Sequence, residues 1–251
     1  MHAPLLVTHD LGRRFGGLHA VKRVSLEVHA GELLAIIGPN GAGKTTFFNM
    51  LSRHIDPSEG RVTFAGRDIT RLPPHALPAI GMARTFQRTN LFWELTVREN
   101  VRLAVQATMV GGYPVHRRLG AYGEVAARVD DVLRRVDLEE HANLPVNKLS
   151  HGDQRMTEIA IALGSGPQIL LLDEPLAGMG PTETEHAVRL FAGMKGNLTM
   201  LLIEHDMDVV LTIADRIAVL NFGELIAVGT PEAIKSDPSV QAAYLGAEPP
   251  C

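Results

Sequence analysis

Three uninterrupted apolar runs, Leu33 to Ile37, Ile169 to Leu172 and Met200 to Ile203, stand out in a chain that otherwise interleaves polar and apolar positions. Each is strand-sized, and a short run apolar throughout suits a strand covered on both faces of a parallel sheet. Ile217 to Leu220 repeats the pattern, and Leu5 to Thr8, Val24 to Val28 and Val62 to Phe64 read as further strands, with a turn at Gly31-Glu32. From Lys44 to Ser52 the apolar positions recur at helical spacing, so the glycine-rich stretch before them joins a strand to a helix. Between about Phe86 and Leu163 the character changes to helices, predicted at Val97 to Gln106, Val125 to Val136 and Asp153 to Leu163. The stretch Gly111 to Gly123, with its basic triplet His116-Arg117-Arg118, is predicted as an irregular separator. A helical pattern at Glu183 to Met194 falls between two apolar strands, and this alternation predicts a parallel α/β sheet carrying a helical insert. The tail from Ala247 to Cys251 is expected to fray.

Composition narrows the function classes. Hydrophobic residues are 45% and charged residues 21% of 251, a globular balance. Lys plus Arg number 24 against 28 acidic residues, and a net charge of -4 argues against a protein that works by neutralising nucleic-acid phosphates. A single cysteine, Cys251, permits neither an internal disulfide framework nor a cysteine-based zinc site. No apolar run approaches the roughly 18 to 20 residues that cross a bilayer, and Met1 to Asp10 has no basic region followed by an apolar stretch. The expected setting is the reducing cytoplasm, with any membrane role peripheral.

The chemistry is concentrated in a few places. Gly38-Pro39-Asn40-Gly41-Ala42-Gly43-Lys44-Thr45 satisfies G-x-x-x-x-G-K-[ST] between an apolar strand and a helix. Glycines let backbone N–H groups converge on phosphate oxygens, and the helix turns its positive end to the same anion. Lys44 is expected to reach the β- and γ-phosphates and Thr45 to ligate Mg²⁺. The strand Ile169 to Leu172 ends in Asp173-Glu174. Such a pair is commonly just solvated, but beside a phosphate loop Asp173 suits Mg²⁺ and Glu174 suits general-base activation of water. His205, past the next strand, is either structural or a residue that holds the γ-phosphate and positions Glu174.

These motifs, together with Gln87 after Ala83-Arg84-Thr85-Phe86 and Leu149-Ser150-His151-Gly152-Asp153-Gln154-Arg155, resemble the ATP-binding subunits of ABC transporters over nearly the whole chain. The resemblance implies an α/β fold: a P-loop NTPase core with a parallel sheet, an N-terminal antiparallel β subdomain and an inserted α-helical subdomain. It implies one ABC ATPase domain over 1–251, with 1–86 and 164–251 as the nucleotide-binding core and 87–163 as the helical subdomain. By the same resemblance Gln87 senses Mg²⁺ and the γ-phosphate, Thr46 joins Gly38, Asn40, Gly41, Ala42, Gly43, Lys44 and Thr45 in the ATP site, and Phe15 stacks on adenine. The other reading of Phe15 is a core phenylalanine.

In this family two subunits clamp two ATP molecules head to tail, so Ser150 and Gly152 would touch the γ-phosphate held by the partner. His151 and Asp153 depart from the family signature, and Leu176-Ala177-Gly178-Met179-Gly180 lacks the usual aspartate. Both departures favour a second, related ATPase subunit as partner, with a homodimer of this chain as the alternative. Phe15 to Val21, Gly81 to Gln87, Leu91 to Asn100, Ile203 to Asp208 and Ala243 to Gly246 resemble the hydrophobic amino-acid branch of importers, which also holds urea and short-amide importers. That implies transmembrane permease subunits as partners, a solute-binding protein acting indirectly, and a place on the cytoplasmic face of the membrane. The surface from Gln87 to Leu95 is expected to dock the permease. Leu91-Phe92-Trp93 is either part of that surface or a small core of the insert. A P-loop metabolic kinase and a soluble ABC ATPase are the rival readings, and the signature helix and the lack of a second ATPase unit speak against them.

Overall fold

The computed structural model describes residues 3–85, 91–109 and 120–245, with no side-chain description at 120–122 and 245. In chain order the elements are β1 (Pro4–Phe15), β2 (Leu18–His29), β3 (Leu33–Ile37), α1 (Lys44–Leu51), β4 (Glu59–Phe64), β5 (Arg67–Asp68), β6 (Met82–Arg84), α2 (Val97–Met109) and α3 (Gly120–Arg135). They continue with α4 (His151–Gly164), β7 (Ile169–Asp173), α5 (Pro181–Met194), β8 (Thr199–Ile203), α6 (Met207–Ile213), β9 (Arg216–Asn221), β10 (Glu224–Gly229), α7 (Pro231–Ser236) and α8 (Pro238–Leu245). Two compact units result: Met1–Leu77 with Leu171–Glu174 and Lys195–Cys251, and Pro78–Leu170 with Pro175–Met194.

The first unit holds two sheets. One runs β2-β1-β4-β5, and its printed pairings are all antiparallel. The other has the order β10-β9-β3-β8-β7, with β3 parallel to β8 and to β9 and β10 antiparallel to β9. The three apolar runs became β3, β7 and β8, each buried along its whole length, as strands covered on both faces should be. In β2 the burial alternates, with Val24, Leu26 and Val28 inward, so that sheet has a wet face.

The hairpin of β1 and β2 extends well beyond the predicted Leu5 to Thr8 and Val24 to Val28, closing with Phe15 opposite Leu18. Its outer end is polar or exposed on both faces, so no period-2 signal marked it. In the second unit α2, α3 and α4 pack on one another, and β6 follows β7 in sheet order, with Gly81 O accepting from Gln168 N (2.7 Å) and Ile169 N (3.1 Å). The separator predicted to run through Gly123 is corrected: α3 already begins at Gly120. Once the amphipathic stretch after Val125 is helical, each added residue needs only one more backbone bond, so weak helix formers can be recruited.

Candidate functional site

The phosphate loop takes its shape from three glycines. At Gly38, with φ +148°, a Cβ would lie 2.0 Å from Leu220 O, and at Gly43, with φ +98°, it would lie 2.3 Å from Ala20 O. Gly41 has φ +80° and nothing within 4 Å of a Cβ position, so the loop presents open backbone there. Gly43 also starts α1, which has no side-chain cap and no acidic residue in its first turn. By contrast α4 is capped by Ser150, α6 by Asp206 and α7 by Thr230. An uncapped helix start at the end of a glycine loop leaves orphan N–H donors and a positive dipole end for an anion.

A cleft of about 730 Å³ opens over this loop, lined by Asn40, Gly41, Ala42, Gly43, Lys44, Thr45 and Thr46 together with Phe15, Glu174 and His205. That volume lies within the range of small-molecule sites. Gly38 is buried and does not line the cleft, and its carbonyl accepts from Lys44 Nζ at 2.6 Å, with Pro39 O at 3.0 Å. Burial holds the Lys44 ammonium below its ordinary pKa, and the charge of Glu174 opposes that fall. The lysine is therefore a desolvated cation resting on two carbonyls of its own loop.

β7 and β8 are neighbours in the sheet, so the residues beyond their C-terminal ends meet. Glu174 N–H donates to Ile203 O at 3.0 Å, and Glu174 Oε1 lies 2.5 Å from His205 Nε2. Glu174 holds a left-handed backbone, φ +49°. Strain of that kind at a non-glycine residue clusters where side-chain direction matters. Asp173, one residue earlier, is 0% exposed and does not line the cleft. Phe15 is 43% exposed, lines the cleft and carries the Arg13 guanidinium 4.7 Å from its ring centroid, so it is not a core phenylalanine. Gln87 lies outside the described residues.

Ser150 and Gly152 belong to the second unit. Ser150 caps α4, its Oγ accepting from Asp153 N at 3.1 Å. A Cβ at Gly152 would lie 2.5 Å from Glu183 Oε1, so a side chain there would push the Glu183 carboxylate aside. Glu183 Oε2 accepts from Gly180 N at 3.0 Å. That bond first, then the Ser150 hydroxyl, the Gly152 N–H and the charge of His151, hold its carboxyl below the ordinary value. Glu183 thus ties the start of α5 to the start of α4. Sequence reasoning missed it because nothing but the fold brings residue 183 to residue 152.

The family described as "ABC transporter" matches residues 21–177. The chain belongs to the ABC transporter family. The pattern of branched-chain amino acid ATP-binding cassette transporters matches residues 224–249. The high-affinity branched-chain amino acid transport ATP-binding protein LivG of Salmonella typhimurium is 45% identical, covering 98% of this chain and 99% of that protein. A nucleotide-free ATP-binding cassette from an ABC transporter superposes with a TM-score of 0.83 at 30% identity, covering 96% of this chain and 99% of the other. A dimeric ATP-binding cassette bound to ADP and Pi superposes at 0.74 with 28% identity, covering 90% and 98%. The ABC ATPase fold expected from the motifs is therefore the fold observed, and among the described residues no helix is long and apolar enough to cross a membrane.

Proposed function

We propose that this chain, working as one ABC ATPase domain, binds and hydrolyses ATP to drive an importer of branched-chain amino acids. The observation that carries the catalytic part is the 2.5 Å pair of His205 and Glu174 at the mouth of the cleft that Lys44 lines. Gly41 to Thr46 hold the phosphates through backbone N–H groups, Lys44 neutralises the β- and γ-oxygens, and Phe15 takes the base. Glu174 accepts a proton from water as its oxygen attacks the γ-phosphorus. The bond from that phosphorus to the β–γ bridging oxygen breaks, and ADP and phosphate leave. His205 orients the Glu174 carboxylate and adds a donor to the γ-phosphate.

A hydroxyl and a buried carboxylate are hard oxygen donors, and Mg²⁺ commonly takes only one or two protein carboxylates beside phosphates. Thr45 and Asp173, with Gln87, are the residues proposed to hold it. When bound it spreads the charge that develops on the phosphate oxygens. Ser150 and Gly152 are proposed to serve a nucleotide on a second, related ATPase subunit.

The segment 91–95 supports permease docking. Buried Asn100 clamps the Phe92 backbone, accepting from its N–H at 2.9 Å and donating to its carbonyl at 3.1 Å. Leu91 is buried, whereas Phe92 is 59% and Trp93 41% exposed. A rigid backbone holding two aromatic rings outward suits a binding surface better than a small core. The assembly would sit peripherally on the cytoplasmic face of the membrane. The solute reading rests on the C-terminal match and on the LivG relatives. Its test is reconstitution with the neighbouring permeases and solute-binding protein in vesicles: leucine, isoleucine or valine should stimulate ATP hydrolysis, and stimulation by urea or short amides alone would contradict it.

A further inference from the structure

The turn between β9 and β10 is a two-residue hairpin loop, with Asn221 opposite Glu224 and Phe222 and Gly223 between them. Both central residues have positive φ, +44° at Phe222 and +81° at Gly223. That is the primed turn whose first central position favours asparagine, aspartate or glycine, and a bulky aromatic there is a backbone outlier. Nothing local explains it, because the ring is 77% exposed, the most of any large hydrophobic side chain among the described residues. A residue that is costly for the backbone and gains no burial points to something that arrives from outside.

The surroundings say what arrives. Phe222 lines the same cleft as the phosphate loop. Its turn is fixed against both walls of that cleft. Gly223 O accepts from Lys22 N at 2.7 Å, Gly223 N donates to Ala42 O at 3.0 Å, and Lys22 Nζ bonds Glu224 Oε1 at 3.0 Å. A Cβ at Gly223 would lie 2.9 Å from Ala20 O, so the turn is seated tightly on β2. Once the loop and α1 take the phosphates, the base must fall on the cleft's apolar lining, which is Phe15, Leu18, Ala20 and Phe222.

We infer that Phe222 is a second aromatic contact for the nucleotide base, held at the cleft by the strained hairpin turn and acting with Phe15. This rests on the ATP-binding reading above and deepens it. Aromatic stacking contributes a modest increment beyond buried area, worth about 3- to 10-fold in affinity.

Phe222→Asn separates this role from a structural one, because asparagine is the residue the turn prefers. The purified full chain is titrated calorimetrically with ATP and, as a probe without a base, with tripolyphosphate, and its melting temperature is recorded. Phe222→Asn is expected to melt no lower than the parent and to bind ATP about 3- to 10-fold more weakly, with tripolyphosphate affinity unchanged. Phe222→Tyr is expected to restore ATP affinity, and Phe222→Gly serves as a second variant free of the turn strain. Parental ATP affinity in Phe222→Asn, or equal losses for ATP and tripolyphosphate, would overturn the inference. Failure of the parent itself to bind ATP would overturn the nucleotide reading as well, so the two failures are distinguishable.

Discussion

His205 Nε2 and Glu174 Oε1 lie 2.5 Å apart, each just past the C-terminal end of one of two adjacent strands. The sheet therefore sets the contact, and in the proposed mechanism the histidine holds the direction of the carboxylate. His205→Ala is expected to lower kcat about 10- to 100-fold with a smaller change in KM, since a lost orienting bond costs mainly at the transition state. Steady-state ATPase assays check this, and an unchanged kcat would remove His205 from the mechanism.

Lys44 is 6% exposed, and its pKa is lowered chiefly by burial. Below the folded pKa the ammonium is charged in a place that disfavours charge, so it costs stability there, and the cost fades as pH rises toward 10.5. Lys44→Met is accordingly expected to raise the melting temperature of the nucleotide-free chain near neutrality. The same change should weaken ATP binding by about 10- to 100-fold, because charge-assisted bonds to phosphate are lost. A melting temperature that falls would mean that the lysine stabilises its loop.

The apolar strands were legible because period alone marks them: Leu33 to Ile37 has no polar position to confuse it. The phosphate loop was legible because its chemistry is local, and Gly43-Lys44-Thr45 are contiguous. β10 was not, since its sequence Glu224 to Gly229 is only partly buried against β9 and has no clean alternation. Glu183 and Phe222 were illegible for a different reason. Each matters through a neighbour far away in sequence, Gly152 for the first and Ala20 and Ala42 for the residue that seats the second.

Glu183 joins two helix starts, and its carboxyl is held below the ordinary value of 4.5 by the Gly180 N–H, the Ser150 hydroxyl and the Gly152 N–H. A depressed folded pKa contributes stability that is present above about pH 4.5 and lost as pH falls through the folded value. Glu183→Gln should therefore melt lower than the parent at neutral pH, because the amide oxygen accepts the same bonds without the charge that strengthens them. The two curves should converge below that pH, and a constant gap across pH 3 to 8 would show that charge is not the cause.

Trp93 is 41% exposed on a backbone fixed by Asn147 N, which donates to Trp93 O at 3.2 Å. Trp93→Ala should leave the isolated subunit within about 1 kcal/mol of the parent's stability and its basal ATPase intact. Co-purification with the permease should fall sharply, as it does when an aromatic anchor is cut from an interface. Unfolding of the isolated variant would make Trp93 a core residue, and normal assembly would move the docking surface elsewhere.

The central claim is that Glu174 activates water at a nucleotide held by the Lys44 loop. Glu174→Gln keeps the shape and removes the basic oxygen, so one preparation should be measured for both ATP binding and turnover. Binding at the parental affinity with hydrolysis reduced about 10²- to 10⁴-fold is the expected result. Hydrolysis at the parental rate would contradict the account.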